Sequence, residues 1–171
     1  LYRVEPNGKD ALRREVGRIA SQHSCGGVIV QLPIAGLADP QYVLNAIPPE
    51  KDADVLGERA LGAFYANRAR VLPPAVGVVE EVVRVRGIDL ARMSVAVIGL
   101  GVLVGRPIAA WLMRRCKDLL LLRRGSDMEL LRRADVIISG AGAPGILHPD
   151  MLKDGATVID FGYGKGADGK L

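Results

Sequence analysis

Val95-Ala96-Val97-Ile98 is an apolar run that breaks on Gly99-Leu100-Gly101-Val102-Leu103-Val104-Gly105 and resumes as Arg106-Pro107-Ile108-Ala109-Ala110-Trp111-Leu112. A buried strand that stops on glycines and restarts as a helix presents backbone N–H groups and the positive end of a helix dipole to a phosphate. The stretch therefore reads as the first strand, loop and helix of a dinucleotide fold, with Gly99, Leu100, Gly101 and Gly105 as candidate cofactor residues. Three residues rather than two separate Gly101 from Gly105. A tight strand-to-helix turn without a ligand is the alternative on spacing alone.

The next apolar run, Leu119-Leu120-Leu121-Leu122, reads as the second parallel strand, and its end selects the cofactor. A bare ribose asks for a carboxylate acceptor there, whereas a 2′-phosphate asks for cations. This strand ends in Arg123-Arg124-Gly125-Ser126. Two guanidiniums and a hydroxyl suit a phosphate ester, which makes NADP the expected cofactor and Arg123, Arg124 and Ser126 its candidate ligands. A solvated arginine pair is the competing reading.

Outward from this core the alternation continues. A helix is expected around residues 128–133, a strand over Val136-Ile137-Ile138-Ser139, then Gly140-Ala141-Gly142, a short helix at residues 149–152 and a strand over Thr157-Val158-Ile159-Asp160. Upstream, Val76, Val79, Val82 and Val83 form a helical stripe ending near Gly87. Strands alternating with helices predict an α/β fold: a parallel Rossmann-like sheet with helices on both faces.

The first third has its own organisation, and reads as part of an α/β catalytic domain over residues 1–72, followed by the nucleotide-binding domain over residues 73–171. Leu12, Val16, Ile19 and Ala20 share one face of a helix expected over residues 9–23. Gly26-Gly27 then releases a short strand, Val28-Ile29-Val30-Gln31-Leu32-Pro33, and Asp39-Pro40 opens another helix that ends at Pro48-Pro49. Pro49-Glu50-Lys51-Asp52-Ala53-Asp54 reads either as a ligand loop at a strand's carboxyl end or as a solvated turn. Residues 58–70 look less regular and basic. Leu1-Tyr2-Arg3-Val4 resembles the tail of a strand and Asp168-Gly169-Lys170-Leu171 follows a turn signal, so the chain reads as an internal portion of something longer.

Composition narrows the function classes. The 171 residues are 49% apolar with a net charge of +4, and the arginine pairs are scattered rather than massed. Aromatics are only 4% and do not interleave with them, which argues against nucleic acid as a partner. Two isolated cysteines, Cys25 and Cys116, have no metal-site spacing, so no metal is expected. Neither a membrane-length apolar run nor a signal peptide is visible, and a cytoplasmic protein is expected.

Several blocks in register resemble one family. Val30-Gln31-Leu32-Pro33, Pro49-Glu50-Lys51-Asp52-Ala53-Asp54, Val104-Gly105-Arg106-Pro107, Ala134-Asp135-Val136-Ile137-Ile138, Pro144-Gly145 and Val158-Ile159-Asp160-Phe161-Gly162 are similar to the bifunctional methylenetetrahydrofolate dehydrogenase/methenyltetrahydrofolate cyclohydrolases. The resemblance implies NADP-linked oxidation of 5,10-methylenetetrahydrofolate to the methenyl form, hydrolysis to 10-formyltetrahydrofolate, and a homodimer. It implies that Asp54 holds the pterin and that Gln31, flanked by Val30 and Leu32, orients a catalytic lysine. It also brings Gly140, Ala141, Gly142 and Tyr163 near the nicotinamide.

The chain departs from the family pattern at three places. Gly99-Leu100-Gly101 stands where the family carries Gly-Arg-Ser, Leu72-Pro73-Pro74-Ala75 replaces Pro-Cys-Thr-Pro, and Val55 replaces a glycine. Arg106 and the Arg123-Arg124 pair are the cations left to compensate. No tyrosine here is followed four residues later by lysine, so the resemblance puts the family's Tyr-x-x-x-Lys pair upstream. A non-catalytic NADP- and folate-binding module, or another NADP-linked dehydrogenase such as a shikimate dehydrogenase relative, are the alternatives. The Gln-Leu-Pro and Glu-Lys-Asp blocks argue against the latter.

Overall fold

A computed structural model describes residue 3, residues 8–143 and residues 145–162 of the chain. The chain divides into two compact units, Leu1–Pro74 and Ala75–Leu171. Among the described residues no helix is long and apolar enough to cross a membrane.

The second unit is built on four parallel strands, β1 (Ser94–Ile98), β2 (Asp118–Leu122), β3 (Val136–Ser139) and β4 (Thr157–Asp160), in the order β2-β1-β3-β4. Register pairs Ile98 with both Leu122 and Ser139, and Ser139 with Asp160, so the carboxyl ends are level across the sheet. Every residue of β3 and the last four of β1 are buried, as central parallel strands covered on both faces require. Ala96, Ile98, Leu122 and Ile137 face a cluster with Leu131 and Ala134, under Met128, Leu147 and Met151. Val95 and Val97 point to the opposite face by strand alternation. There, α5 (Gly105–Leu112) packs on β1 and β2 and buries Ile108 and Leu112.

α4 (Pro74–Arg86) realises the valine stripe, though only Val76 and Val79 of its four valines are fully buried. The helices expected near residues 128–133 and 149–152 are 3₁₀ turns, Met128–Arg133 and Pro149–Met151. Both segments close in the tighter i to i+3 pattern that short connectors commonly adopt.

Asp135 ties three strand starts together. Its backbone N–H donates to the Ser94 carbonyl at 2.7 Å, its Oδ2 accepts from Ser94 N–H at 2.7 Å, and its carbonyl accepts from Thr157 N–H at 2.9 Å. Lys153 Nζ donates to the other carboxylate oxygen. The Lys153 hydrogen bond, followed by that of Ser94, holds the Asp135 carboxyl below the ordinary carboxylate range. A depressed folded value means that the stabilisation is present above the unfolded value of 3.8 and is lost as pH falls through the folded one. Asp135→Ala is expected to cost about 1.5–3 kcal/mol at neutral pH, the scale of hydrogen bonds to a charged group. In denaturant titrations the gap from the parent should begin to narrow as pH falls through the unfolded value of 3.8 and close below the lower folded one, where the native carboxylate is itself protonated.

The first unit differs more from expectation. α1 (Lys9–Ala20) buries Leu12, Val16 and Ala20 as the periodicity predicts, but it stops three residues before His23. Lys51 Nζ donates to the carbonyls of Ala20 at 2.7 Å and Gln22 at 3.0 Å, and the Ser21 hydroxyl donates back to Gly17 O at 2.7 Å. These donors satisfy the end of the helix from a distant loop. α2 (Gln41–Leu44) brings Val43, Leu44 and Ile47 onto Leu12, Val16 and Leu56.

The strand expected over residues 28–33 is not a strand. Only Val28 pairs, in an isolated parallel bridge with Asp52, and Ile29 is 68% exposed. With no second partner among the described residues to extend a ladder, the segment runs as an extended loop to the cis Leu32–Pro33 bond. Among the described residues the front portion shows helices and this one parallel bridge.

Residues 58–70, expected to be irregular, contain α3 (Glu58–Tyr65), which buries Ala60 and Phe64. Its end is a Schellman closure. Asn67 takes φ 55, its N–H donates to Phe64 O at 3.0 Å, and Arg68 N–H donates to Ala63 O at 2.8 Å. Two inward residues in a segment interrupted by Gly62 carry too little periodicity to show as a helix.

Candidate functional site

The β1–α5 loop owes its shape to two close approaches of backbone to backbone and one of backbone to the Val104 side chain. Gly99 has φ 80, and a Cβ on it would lie 3.1 Å from both Ala141 N and Gly140 C. A Cβ on Gly105 would lie 1.8 Å from Gly99 O, and one on Gly140 would lie 2.8 Å from Val104 Cγ1. Side chains at these positions would push the first turn of α5, the loop and the end of β3 apart. Gly101 and Gly142 differ, because a Cβ on either meets no protein atom within 4 Å. The loop thus packs tightly against its own sheet and is open at Gly101.

This loop sits where the strand order reverses. The chain leaves β1 for β2 on one side and returns to β3 on the other, which makes the carboxyl ends of β1 and β3 the sheet's switch point. Gly99 N–H donates to Leu122 O at 2.9 Å and Gly140 N–H to Ile98 O at 2.8 Å. The expected loop residues Gly99, Leu100, Gly101, Gly105, Gly140, Ala141 and Gly142 are therefore brought together at one sheet edge. Tyr163 lies outside the described residues.

At the end of β2, Arg123-Arg124-Gly125-Ser126 is a closed turn. Ser126 N–H donates to Arg123 O at 2.9 Å, and Gly125 has the φ of 84 that the third position of a type II turn requires. Ser126 Oγ accepts from Arg123 N–H at 3.0 Å, so the hydroxyl holds the turn and keeps its own proton to donate. Both arginine side chains are exposed, and neither has an ion-pair partner among the described residues. The turn gathers two guanidiniums and a hydroxyl at the tip of the strand beside β1.

In the first unit the charged loop is largely structural. Asp52 is 2% exposed, and its Oδ2 accepts from Leu56 N–H at 3.0 Å and Gly57 N–H at 2.7 Å. Lys51 caps α1. The solvated-turn reading of this run therefore fails at its two middle residues, which sequence spacing alone did not single out. The carboxylate clamp sets the next turn, where Val55 is buried with φ 55, a left-handed conformation uncommon for a β-branched residue. Val55 also lines a cavity of about 400 Å³ with Pro49, Glu50, Ala60, Arg68 and Arg70.

Asp54, between these two, is half-buried, and its carboxyl is pushed above the ordinary value first by burial and then by the Asp52 charge. The Val28–Asp52 bridge runs the two candidate segments in the same direction, with Val30 and Asp54 each two residues beyond it. Val30 and Leu32 pack against the unit's core, whereas Gln31 is exposed and donates through Nε2 to Leu32 O at 2.8 Å. No group of three His, Cys, Asp or Glu residues is arranged to hold a metal among the described residues.

Residues 73–171 match the family model described as tetrahydrofolate dehydrogenase/cyclohydrolase, NAD(P)-binding domain. A bifunctional protein FolD 2 from Lactobacillus johnsonii is 35% identical over 150 residues, covering 86% of this chain and 53% of that protein. The crystal structure of the bifunctional methylenetetrahydrofolate dehydrogenase/cyclohydrolase FolD from Campylobacter jejuni superposes with a TM-score of 0.88 at 28% identity, over 94% of this chain and 58% of that one. That of the Trypanosoma brucei enzyme, complexed with NADP cofactor and inhibitor, gives 0.82 at 31% identity over 91% and 55%. The chain spans about half the length of the curated relatives it matches. With more than half of its residues in the matching domain, the chain belongs to the tetrahydrofolate dehydrogenase/cyclohydrolase family.

Proposed function

We propose that this chain carries the NADP-binding domain, over residues 73–171, and part of the folate-binding domain, over residues 1–72, of an enzyme that oxidises 5,10-methylenetetrahydrofolate to 5,10-methenyltetrahydrofolate and hydrolyses it to 10-formyltetrahydrofolate. The observation that carries the reading is the glycine-packed loop at the sheet's switch point, with two guanidiniums at the neighbouring strand end that have no ion-pair partner among the described residues. The open face at Gly101 and Gly142 leaves backbone accessible to a pyrophosphate and a flat ring, so the residues present fit a dinucleotide. NADP, when bound, supplies the hydride acceptor. Residues 99–101, Gly105 and residues 140–142 would hold its pyrophosphate and nicotinamide ends, and Arg123, Arg124 and Ser126 its 2′-phosphate. Tyr163 belongs to the nicotinamide end in the same reading.

On the substrate side Asp54 accepts from the N–H donors of the pterin, and its raised proton affinity makes it a stronger acceptor than a solvated carboxylate. Gln31, exposed just ahead of the Leu32–Pro33 bond, orients in the same reading the groups that act on the one-carbon bridge. The domain's contribution to rate is positioning, since hydride transfer depends on holding donor and acceptor carbons about 3–3.5 Å apart. The homodimer implied by the resemblance and the cytoplasmic location expected from the sequence belong to the same proposal, and sedimentation of the full chain tests the first.

Titrating the chain with NADP and with tetrahydrofolate tests the reading. Asp54→Ala should weaken tetrahydrofolate binding by about 1.5–3 kcal/mol, the scale of a charge-assisted hydrogen bond, and leave NADP affinity in place. Equal loss of both ligands would contradict separate sites for the two. A module that binds without turnover would show the same affinities and no methenyl product on full-length protein.

A further inference from the structure

The loop that receives the dinucleotide has no polar side chain of its own. Between Gly99 and Gly105 it offers Leu100, Val102, Leu103 and Val104, and while its two ends pack closely on the sheet, Val102 and Leu103 are half-exposed at its tip. Two backbone bonds tie it to α5: Arg106 N–H to Gly101 O at 3.0 Å and Ile108 N–H to Val104 O at 3.2 Å. The one side-chain hydrogen bond onto the loop among the described residues comes from Arg106, whose Nε–H donates to Leu100 O at 2.9 Å.

That bond fixes more than a carbonyl. In a trans peptide the C=O and the following N–H point in opposite directions. Holding Leu100 O toward the Arg106 guanidinium therefore aims Gly101 N–H the other way. Gly101 is exposed, has open space around its Cα, and its N–H makes no hydrogen bond among the described residues. We propose that Arg106 is the positioning residue of this loop, orienting the Gly101 peptide as a pyrophosphate donor, and that it takes no part in reading the 2′-phosphate. The proposal rests on the dinucleotide reading and adds a division of labour among the arginines: Arg106 serves the portion common to NADP and NAD, while Arg123 and Arg124 serve the portion that differs.

The test measures affinities of the full 171-residue chain for NADP, NAD and adenosine 2′-monophosphate, with melting curves alongside. Arg106→Ala should weaken NADP and NAD by the same factor, about tenfold for a lost oriented donor, and leave adenosine 2′-monophosphate unchanged. The melting temperature should stay close to that of the parent. A fall in the NADP/NAD ratio would make Arg106 a 2′-phosphate ligand and overturn the proposal, as would unchanged affinities. Parallel loss of all three ligands with a lowered melting temperature would reduce Arg106 to a stability role and overturn it too. If the unaltered chain bound neither NADP nor NAD, the dinucleotide reading would fall and this inference with it; binding by the parent with an indifferent Arg106→Ala overturns the inference alone.

Discussion

Gly105→Ala should destabilise the nucleotide-binding unit by about 3 kcal/mol or more, the upper range for forcing extra atoms into a packed site. The added methyl would sit 1.8 Å from Gly99 O and 2.8 Å from Gly99 C, both backbone atoms that cannot rotate away. Relief requires α5 to move off β1, yet α5 is held by Ile108 and Leu112, which are fully buried, and by Trp111. Any shift large enough to clear the contact opens that core. Gly101→Ala is the control, because a methyl there meets nothing within 4 Å and the residue's φ is not positive. It should stay within about 0.5 kcal/mol of the parent in chemical denaturation, as substitutions at open surface positions do. Similar costs at the two positions would mean that the loop is not packed as described.

Replacing Arg123 and Arg124 together by alanine should narrow the preference for NADP over NAD by about 1–3 kcal/mol, roughly fivefold to more than a hundredfold. Both guanidiniums are exposed without ion-pair partners among the described residues, so they come to a phosphate free of a competing carboxylate. The turn itself should survive, since Arg123 holds Ser126 through its backbone N–H and carbonyl rather than its side chain. The remaining NADP preference should fall further with added salt, as it must for charges at the protein surface. An unchanged NADP/NAD ratio would remove these arginines from the phosphate site. Read with Arg106→Ala, which should leave that ratio alone, the pair separates the two halves of the cofactor.

The nucleotide-binding unit was legible because its signals are local. β3 and β4 fall on the residues that their apolar runs mark, and β1 and β2 each extend one residue further. A central parallel strand buried on both faces must be apolar throughout, and a loop that crosses a sheet edge closely must be glycine. Both conditions are written in consecutive residues.

The first unit was less legible for the opposite reason. Lys51 ends α1 from thirty residues away, the Asp52 carboxylate builds the turn that carries Val55, and Val28 finds a partner where its neighbours do not. α3 carries only two inward-facing side chains and ends on Asn67 rather than on a glycine. None of these features has a periodicity to read.

By itself, then, the sequence determined the parallel α/β architecture, the place of the glycine loop and the arginine pair at the next strand's end, because each follows from the chemistry of neighbouring residues. Only the tertiary structure decided which glycines are indispensable, that Asp52 is buried scaffold while Asp54 stays half-open, and that Arg106 reaches back to Leu100. Those outcomes depend on which atoms meet across long stretches of chain, and close packing makes such distances decisive at the scale of a single methyl group.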